Sequence, residues 1–379
     1  MSYYTVNPFN FKEVGNLLKK EGEVRIPAGC AISGIIDRKG NRFSGSDVIQ
    51  SIALMHDRSN GLGGGFAAYG IYPDFKDWYA FHVFYSSIDV KNKTEEYLNA
   101  NFSIEMSGRI PTRKVASIKD APIIWRYFAK PEPGKLISSE KTEDDYVADA
   151  VITINSTFPG AYVFSSGKNM GAFKAVGYPE DVGEYYKLDE YDGYLWTAHG
   201  RFPTNTPGWW GGAHPFTILD WSVVHNGEIS SYDANRRYIE MFGYDCSLQT
   251  DTEVITYLFD YLVRKKGLPL KTAANVIAAP MWEEIAEMPE KEKKYYTALR
   301  QVYSSALVNG PFSIILGYTG GLMALNDRLK LRALVAAECG DKLYLASEES
   351  AIRVVCPNPE TMYSVEGGVP IIATVEGEV

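Results

Sequence analysis

The most constraining feature of the sequence is one stretch, residues 197–229, in which turn-forming residues enclose a predicted buried strand. It reads TAHGRFPTNTPGWWGGAHPFTILDWSVVHNGEI and contains an arginine, two turns rich in proline, glycine and tryptophan, and an Asn-Gly pair. Two further segments are predicted to lie with it: Gly29-Cys30 at the start of an apolar run, and TDTE at 250–253. We therefore expect these three segments to form one site.

The segment from 78 to 168 has its own alternation of apolar patterns, which predicts the order β-α-β-β-α-β. This order is that of a ferredoxin-like unit, and the charged segment PEPGKLISSEKTEDD at 131–145 is predicted to be a connection within it. We predict an inserted α+β subdomain at 78–168. The main domain then comprises 30–77 and 169–379, preceded by an N-terminal arm at 1–29.

The remainder of the chain interleaves helices with hairpins. A helix is predicted at 44–59, two more follow HNGEI, and a helical run rich in lysine and glutamate covers roughly 281–307. Turns at TGG (319–321) and CGD (339–341) predict antiparallel hairpins in the C-terminal part. The fold class is therefore α+β, with sheets enclosed between helices.

Composition excludes several functional classes. The net charge of -9 argues against nucleic acid as the main partner, because phosphate contacts require a basic surface. No apolar run reaches the roughly 18–20 residues that span a bilayer, so no membrane partner is expected. The four cysteines form no CxxC pair and no disulfide framework, which favours a reducing, cytoplasmic location. No zinc-binding spacing is present among the histidines.

Cys30 is the candidate nucleophile. None of the five histidines lies in a recognised cysteine–histidine signature. An N-terminal cysteine needs no histidine, because its own α-amino group, with a pKa near 8, can accept the thiol proton. Loss of residues 1–29 would make Cys30 the first residue. A small buried hydrophobe in a core strand is an equally good interpretation on spacing alone.

Each of the other candidate residues also has a structural interpretation. Arg201 beside a proline turn can clamp a carboxylate, with Thr204 adding a hydrogen bond, or it can brace a loop. The pair Asn226-Gly227 can supply amide donors to an oxyanion or form a tight turn. Asp251 can bind an ammonium group or serve only at the start of a helix.

Taken together, these motifs resemble those of the class II, N-terminal-cysteine glutamine amidotransferases, and above all the amidotransferase domain of glutamate synthase. The resemblance is carried by RFPTNT (201–206), HNGEI (225–229), TDTE, Cys30 at the head of CAISGIID, and a weaker MHDRSNGLGGG (55–65). One position departs from the family pattern, because Ala31 follows the cysteine where glycine is usual. The resemblance implies an Ntn-hydrolase fold, a four-layer αββα sandwich.

The resemblance also implies a role for each residue. Cys30 attacks the side-chain carbonyl of L-glutamine, with its free amino group as base. Arg201 and Thr204 hold the substrate carboxylate, Asp251 holds its ammonium group, and Asn226 with the Gly227 N–H forms the oxyanion hole. The segment PGWWGG (207–212) is the expected flexible flap over glutamine.

The resemblance further implies a hetero-oligomer in which this chain passes ammonia to a glutamate-synthase-like subunit. No cofactor is expected in this chain, and FMN and an iron–sulfur cluster are expected only in the partner. Three alternatives remain open: a different acceptor, as in N-methylglutamate synthesis; an Ntn hydrolase for another amide; and an unprocessed regulatory protein. The insert is predicted to be a docking or regulatory surface.

Overall fold

The computed structural model describes residues 29–202 and 208–377, and its centre is a seven-stranded antiparallel sheet. With strands numbered in chain order, this first sheet has the spatial order β17 (Thr361–Ser364), β15 (Val335–Cys339), β16 (Lys342–Ala346), β1 (Ala31–Asp37), β10 (Leu195–Gly200), β3 (Gly64–Tyr69) and β8 (Met170–Ala175). The strand that follows Cys30 therefore lies in the middle of the sheet, paired on both sides.

A second antiparallel sheet packs against the first. Its five strands have the order β11 (Phe216–Ile218), β12 (Trp221–Gly227), β13 (Phe312–Tyr318), β14 (Gly321–Asn326) and β18 (Ile371–Thr374). Side chains alternate across each strand, so that Ile32 and Ile36 of β1 face the second sheet while Ile35 faces the helices. The sheets approach closely at Gly34, where a Cβ would lie 3.2 Å from the Ile315 side chain.

Helices cover the outer face of each sheet. The helices are α1 (Ser46–Ala53), α2 (Ile88–Asn101), α3 (Pro133–Ser139), α4 (Glu143–Thr157), α5 (Pro179–Tyr185), α6 (Tyr232–Glu240), α7 (Asp251–Phe259), α8 (Leu270–Ile277), α9 (Trp282–Glu287), α10 (Glu290–Val302) and α11 (Glu349–Arg353). Helices α1, α5 and α11 contact the first sheet, and α7 contacts β11 and β12 of the second. The order of layers is helix, sheet, sheet, helix. The predicted α+β αββα sandwich is confirmed.

The predicted insert contains a sheet of its own. Its strands have the order β5 (Phe102–Arg109), β6 (Ile123–Pro131), β4 (Tyr79–Tyr85) and β7 (Ala161–Ser165), all antiparallel, with α2 and α4 in the connections. This is the ferredoxin-like βαββαβ arrangement. We call it the insert sheet; the domain boundaries at 78 and 168 stay predictions. A short ladder joins β2 (Phe43–Ser44) to β9 (Asp192–Gly193) elsewhere.

Some local predictions are wrong. The connection at 131–145 contains α3, which begins because Pro133 occupies its first turn and the Glu132 side chain accepts the Lys135 N–H at 2.8 Å. Helices α8 and α11 were not predicted, since eight and five residues give little periodicity. The predicted helix at 44–59 is shorter, and α1 ends at Ala53. Both C-terminal hairpins are confirmed.

Among the described residues, no helix is both long and apolar enough to cross a membrane. Within 29–202 and 208–377, no group of three His, Cys, Asp or Glu side chains is placed to hold a metal ion.

Candidate active site

Cys30 lies immediately before β1, at the end of the first sheet. The pairing of Ala31 with Gly200 places it beside the residues that follow β10. The Phe202 N–H donates to Cys30 Sγ at 3.3 Å, and Arg58 Nε donates to the Cys30 carbonyl oxygen at 3.0 Å. Arg58 is itself held by Glu348, with a 2.9 Å ion pair. Residues after α1 and after β10 therefore fix the backbone and the thiol of Cys30.

The environment of the Cys30 thiol does not ionise it. Burial raises its pKa above the ordinary value, although the Phe202 N–H and the Arg201 guanidinium act in the opposite direction, and Asp251 raises it further. The thiolate is the nucleophilic form of cysteine. A reaction at Cys30 therefore requires a base that removes the thiol proton.

Asn226 and Gly227 end β12 beside the same place. Asn226 is buried, and its Nδ2 lies 3.4 Å from the Ser347 Oγ. Its Oδ1 has no hydrogen-bond partner among the described residues. A Cβ built on Gly29, the residue before the cysteine, would lie 4.0 Å from that Oδ1. An amide group of the second sheet thus faces the backbone that precedes Cys30.

Only glycine fits at position 227. Its φ is 151°, and a Cβ there would lie 2.0 Å from the Pro311 carbonyl oxygen. The strand pairing of Gly227 with Phe312 imposes this close approach. The Asn-Gly pair therefore ends a strand, and the tight-turn interpretation is wrong.

Asp251 is the first residue of α7, and Thr250, whose side chain accepts the Thr252 N–H, is the cap. The Asp251 carboxylate accepts hydrogen bonds from the Ile229 N–H and the Thr252 hydroxyl, each at 3.2 Å. Burial would raise the pKa of Asp251, but His225 and these donors hold it below the ordinary value. The side chain is therefore an anion that also stabilises the loop after β12.

Arg201 follows β10 and is buried. Burial lowers the pKa of its guanidinium, while Cys30 and Asp251 raise it. A Cβ on Gly212 would lie 3.3 Å from Arg201 Nη1, and one on Gly63 would lie 3.0 Å from its Cδ. Two glycine-bearing segments therefore pack directly on this side chain. Thr204 and Pro207 lie outside the described residues.

The structure thus brings Cys30, Arg201, Asn226, Gly227 and Asp251 to one end of the two sheets. A nucleophile, a buried cation, a half-buried anion and an amide converge there. Such a set can bind a zwitterionic amino acid and present its side chain to the thiol.

Several residues that support the site at Cys30 were not predicted from the sequence. Ser347 accepts the Ile32 N–H at 3.1 Å as well as contacting Asn226. Arg58 lies within the weaker motif MHDRSNGLGGG, which is the only sequence signal that could have identified it. The buried histidines His199 and His214 hydrogen-bond each other at 2.7 Å, and burial holds the pKa of both well below the ordinary value. They are neutral packing groups beneath the site.

Comparisons with known proteins agree with this geometry. The model of the family "Glutamine amidotransferases class-II" matches residues 119–246, which include Arg201, Asn226 and Gly227. Residues 119–246, about a third of the chain, are therefore similar to class II glutamine amidotransferases.

Two archaeal relatives match over nearly the whole length. An uncharacterised protein of Archaeoglobus fulgidus is 52% identical over 350 residues, 92% of each chain. The chain belongs to one family with that protein. A putative glutamine amidotransferase of Methanothermobacter thermautotrophicus is 26% identical over 337 residues, 87% of this chain and 95% of that one.

A solved structure, the glutamine phosphoribosylpyrophosphate amidotransferase of B. subtilis, aligns with a TM-score of 0.48 at 15% identity. The alignment covers 91% of this chain, which spans about half of that enzyme (47%).

Proposed function

We propose that this chain hydrolyses L-glutamine to L-glutamate and ammonia through a thioester on Cys30. The observation that carries the proposal is the convergence of Cys30, Arg201 and Asp251 at one end of the sandwich, with Asn226 beside them. The class II amidotransferase domain supports the same chemistry.

Charge complementarity orients the substrate. The Arg201 guanidinium binds the α-carboxylate of glutamine, and the Asp251 carboxylate binds its ammonium group. Arg201 is buried and Asp251 is half-buried, so these charge-assisted contacts form in a medium less polar than water. Thr204, as the second carboxylate ligand, stays a prediction.

The reaction requires Cys30 to be the first residue. Removal of residues 1–29 frees an α-amino group, which takes the proton from Sγ as the sulfur attacks the side-chain carbonyl. Ammonia leaves with that proton, a glutamyl thioester remains, and water then releases glutamate and restores the thiol. The position of Gly29, close to Asn226, supports this, because its departure opens the space that the reacting carbonyl needs.

Asn226 and the Gly227 N–H form the oxyanion hole. Rotation of the Asn226 amide by half a turn exchanges its oxygen and nitrogen positions. Because Ser347 Oγ already accepts the Ile32 N–H, its hydroxyl hydrogen is available to the Asn226 oxygen. The freed Nδ2 then points toward the space next to Gly29, where an oxyanion develops.

We further propose that the ammonia passes to a glutamate-synthase-like partner subunit. The motifs RFPTNT, HNGEI and TDTE support this choice. Hydrolysis through a thioester adds water and transfers no electrons, so FMN and an iron–sulfur cluster belong to the proposed partner. Co-purification of the chain with a synthase subunit checks the assembly, and deletion of the insert tests whether the insert mediates it.

The glutaminase proposal is tested with substrate analogues. Purified chain is assayed for ammonia release from L-glutamine, N-acetyl-L-glutamine and L-glutamine α-amide, with and without a candidate synthase subunit. We expect hydrolysis of L-glutamine alone, since each analogue loses the partner of Asp251 or Arg201. Equal hydrolysis of all three would contradict the binding scheme, and hydrolysis of none would contradict the function.

A further inference from the structure

A cavity of about 750 Å³ lies between the insert sheet and the segment Gly208–Gly211. Its walls include Phe84 and Tyr162 of the insert sheet, with Trp210 and Trp209 packed against them. None of the proposed catalytic or glutamine-binding residues is among the described residues that line it. The cavity shares with the site at Cys30 only Gly208–Gly211, part of the predicted flap at 207–212, and it has the size of ordinary small-molecule sites.

The lining of the cavity is chemically specific. The Tyr162 and Trp209 rings lie 5.8 Å apart, and those of Phe84 and Trp210 lie 5.6 Å apart, so each pair packs together and the four rings make the wall aromatic. The described charged residues of the lining are one lysine and one aspartate, Lys119 and Asp120, so their charges cancel. Such walls favour a flat ring and do not favour an anion such as a phosphate.

One buried side chain ties the cavity wall to the segment beside it. Lys174 of β8 donates from Nζ to the Gly211 carbonyl oxygen at 2.9 Å and to the Tyr162 hydroxyl at 3.3 Å. It also reaches the Pro215 carbonyl oxygen at 3.3 Å. Lys174 therefore joins the cavity wall to the backbone of this segment through hydrogen bonds.

The same segment reaches the glutamine-binding arginine. The Trp209 ring lies on the backbone of Gly211 and Gly212, where a Cβ would approach its atoms to 2.1 and 2.6 Å. Gly212 in turn packs on Arg201, with 3.3 Å from a built Cβ to Nη1. Trp209 thus contacts the cavity on one side and, through Gly212, the arginine on the other.

We propose that the cavity binds a planar, uncharged heteroaromatic compound of nucleoside size, and that its occupancy fixes Gly211 and Gly212 against Arg201. Binding itself is independent of the glutaminase function. Only its effect on glutamine rests on the function proposed above: an occupied cavity holds Arg201 in place and lowers the KM for glutamine.

Binding is tested by isothermal titration calorimetry of the full chain with adenosine as the probe. We expect saturable binding of adenosine, no binding of ribose, and weaker binding of AMP because the cavity offers no net positive charge. AMP binding as tight as that of adenosine would overturn the assignment to uncharged ligands. If adenosine, uridine and indole all fail to bind up to their solubility limits, the site itself is overturned.

Matched variants locate the binding. Tyr162→Leu removes the aromatic wall and is expected to weaken adenosine binding by about 10-fold, whereas Tyr162→Phe keeps the ring and most of the affinity. Ser247→Trp fills the cavity edge and is expected to abolish binding, and Ser247→Ala is its control. Unchanged affinity in both Tyr162→Leu and Ser247→Trp would place the ligand elsewhere and contradict the proposal.

The effect on glutamine is measured separately. Adenosine is expected to lower the KM for glutamine in the native chain and to leave it unchanged in Tyr162→Leu. Binding with no change in KM would overturn the link to Arg201. Because calorimetry needs no turnover, a chain that fails to hydrolyse glutamine and a cavity that fails to bind are distinguishable results.

Discussion

The Cys30 end of the sandwich and the cavity beside the insert sheet are built in opposite ways. At the first, the ends of strands and the start of α7 position the functional groups, and hydrogen bonds hold them, as the Phe202 N–H does for the thiol. At the second, side chains from separate parts of the chain, such as Phe84 and Trp210, meet only through packing. Residues at the ends of strands lie in short motifs that can be recognised in the sequence. Contacts between packed side chains from distant parts of the chain carry no such motif.

The motif TDTE joins the two regions. Asp251 belongs to the Cys30 end, while Glu253, two residues later, accepts the N–H of Leu248, which lines the cavity. The following predictions separate what each region contributes.

Replacement of the nucleophile has the largest expected effect. Cys30→Ala removes the sulfur that forms the thioester, and kcat for glutamine hydrolysis is expected to fall by more than about 10³-fold. Glutamate release is the measurement. Cys339→Ala is the control, since Cys339 is also a half-buried free cysteine but lies on β15. A Cys30→Ala chain as active as the control would show that the chemistry is elsewhere.

Loss of the oxyanion donor comes next. Asn226→Ala is expected to lower kcat by about 10²–10³-fold with little change in KM, since the amide acts mainly on the transition state. Ser347→Ala removes the hydroxyl beside Asn226 but keeps the Asn226 amide, so a smaller decrease in kcat is expected. A change confined to KM would instead make Asn226 a substrate-binding residue.

Asp251→Asn tests whether the Asp251 carboxylate binds the ammonium group of glutamine. The amide can still accept the Ile229 N–H, but it loses the charge, so the KM for L-glutamine is expected to rise by about 10–100-fold. The exposed Asp233→Asn is the matched control. An unchanged KM would limit Asp251 to its structural role at the start of α7.

The smallest expected effect is in the cavity region, where the titration of Glu253 changes the free energy of unfolding. Burial raises the pKa of Glu253 to about 8, although the Leu248 N–H and the Tyr257 hydroxyl lower it. The unfolded chain has the ordinary pKa of 4.5. The free energy that protonation of Glu253 contributes to folding is therefore fully present below pH 4.5. It is lost as pH rises through about 8.

Urea unfolding across this pH range measures the effect. The free energy of unfolding of the native chain, relative to Glu253→Gln, is expected to fall by on the order of 3 kcal/mol between about pH 5 and about pH 9. Burial lowers the pKa of Lys174 and Glu253 raises it, so the difference between the native chain and the variant includes the interaction of these two side chains. Parallel pH profiles would show that Glu253 is already ionised in the folded chain.

The two regions also differ in what the sequence could predict. The hairpins, the βαββαβ order and the α+β class follow from local periodicity and turn residues, as at TGG and CGD, whereas the four-layer sandwich was predicted from the family resemblance. The grouping of Cys30, Arg201, Asn226 and Asp251 was predicted because each lies in a short motif. Ser347 and Lys174 were not, since no local pattern shows that a serine 121 residues from Asn226, or a lysine in a core strand, makes contact across the fold.

The role of Cys30 as an N-terminal nucleophile is tested most directly by the intact mass of the purified chain, measured before and after incubation with a diazoketone analogue of glutamine. We expect loss of residues 1–29 and a single adduct, located on Cys30. A full-length mass with no adduct, even with a candidate synthase subunit present, would contradict it and favour a regulatory protein that keeps its N-terminal arm.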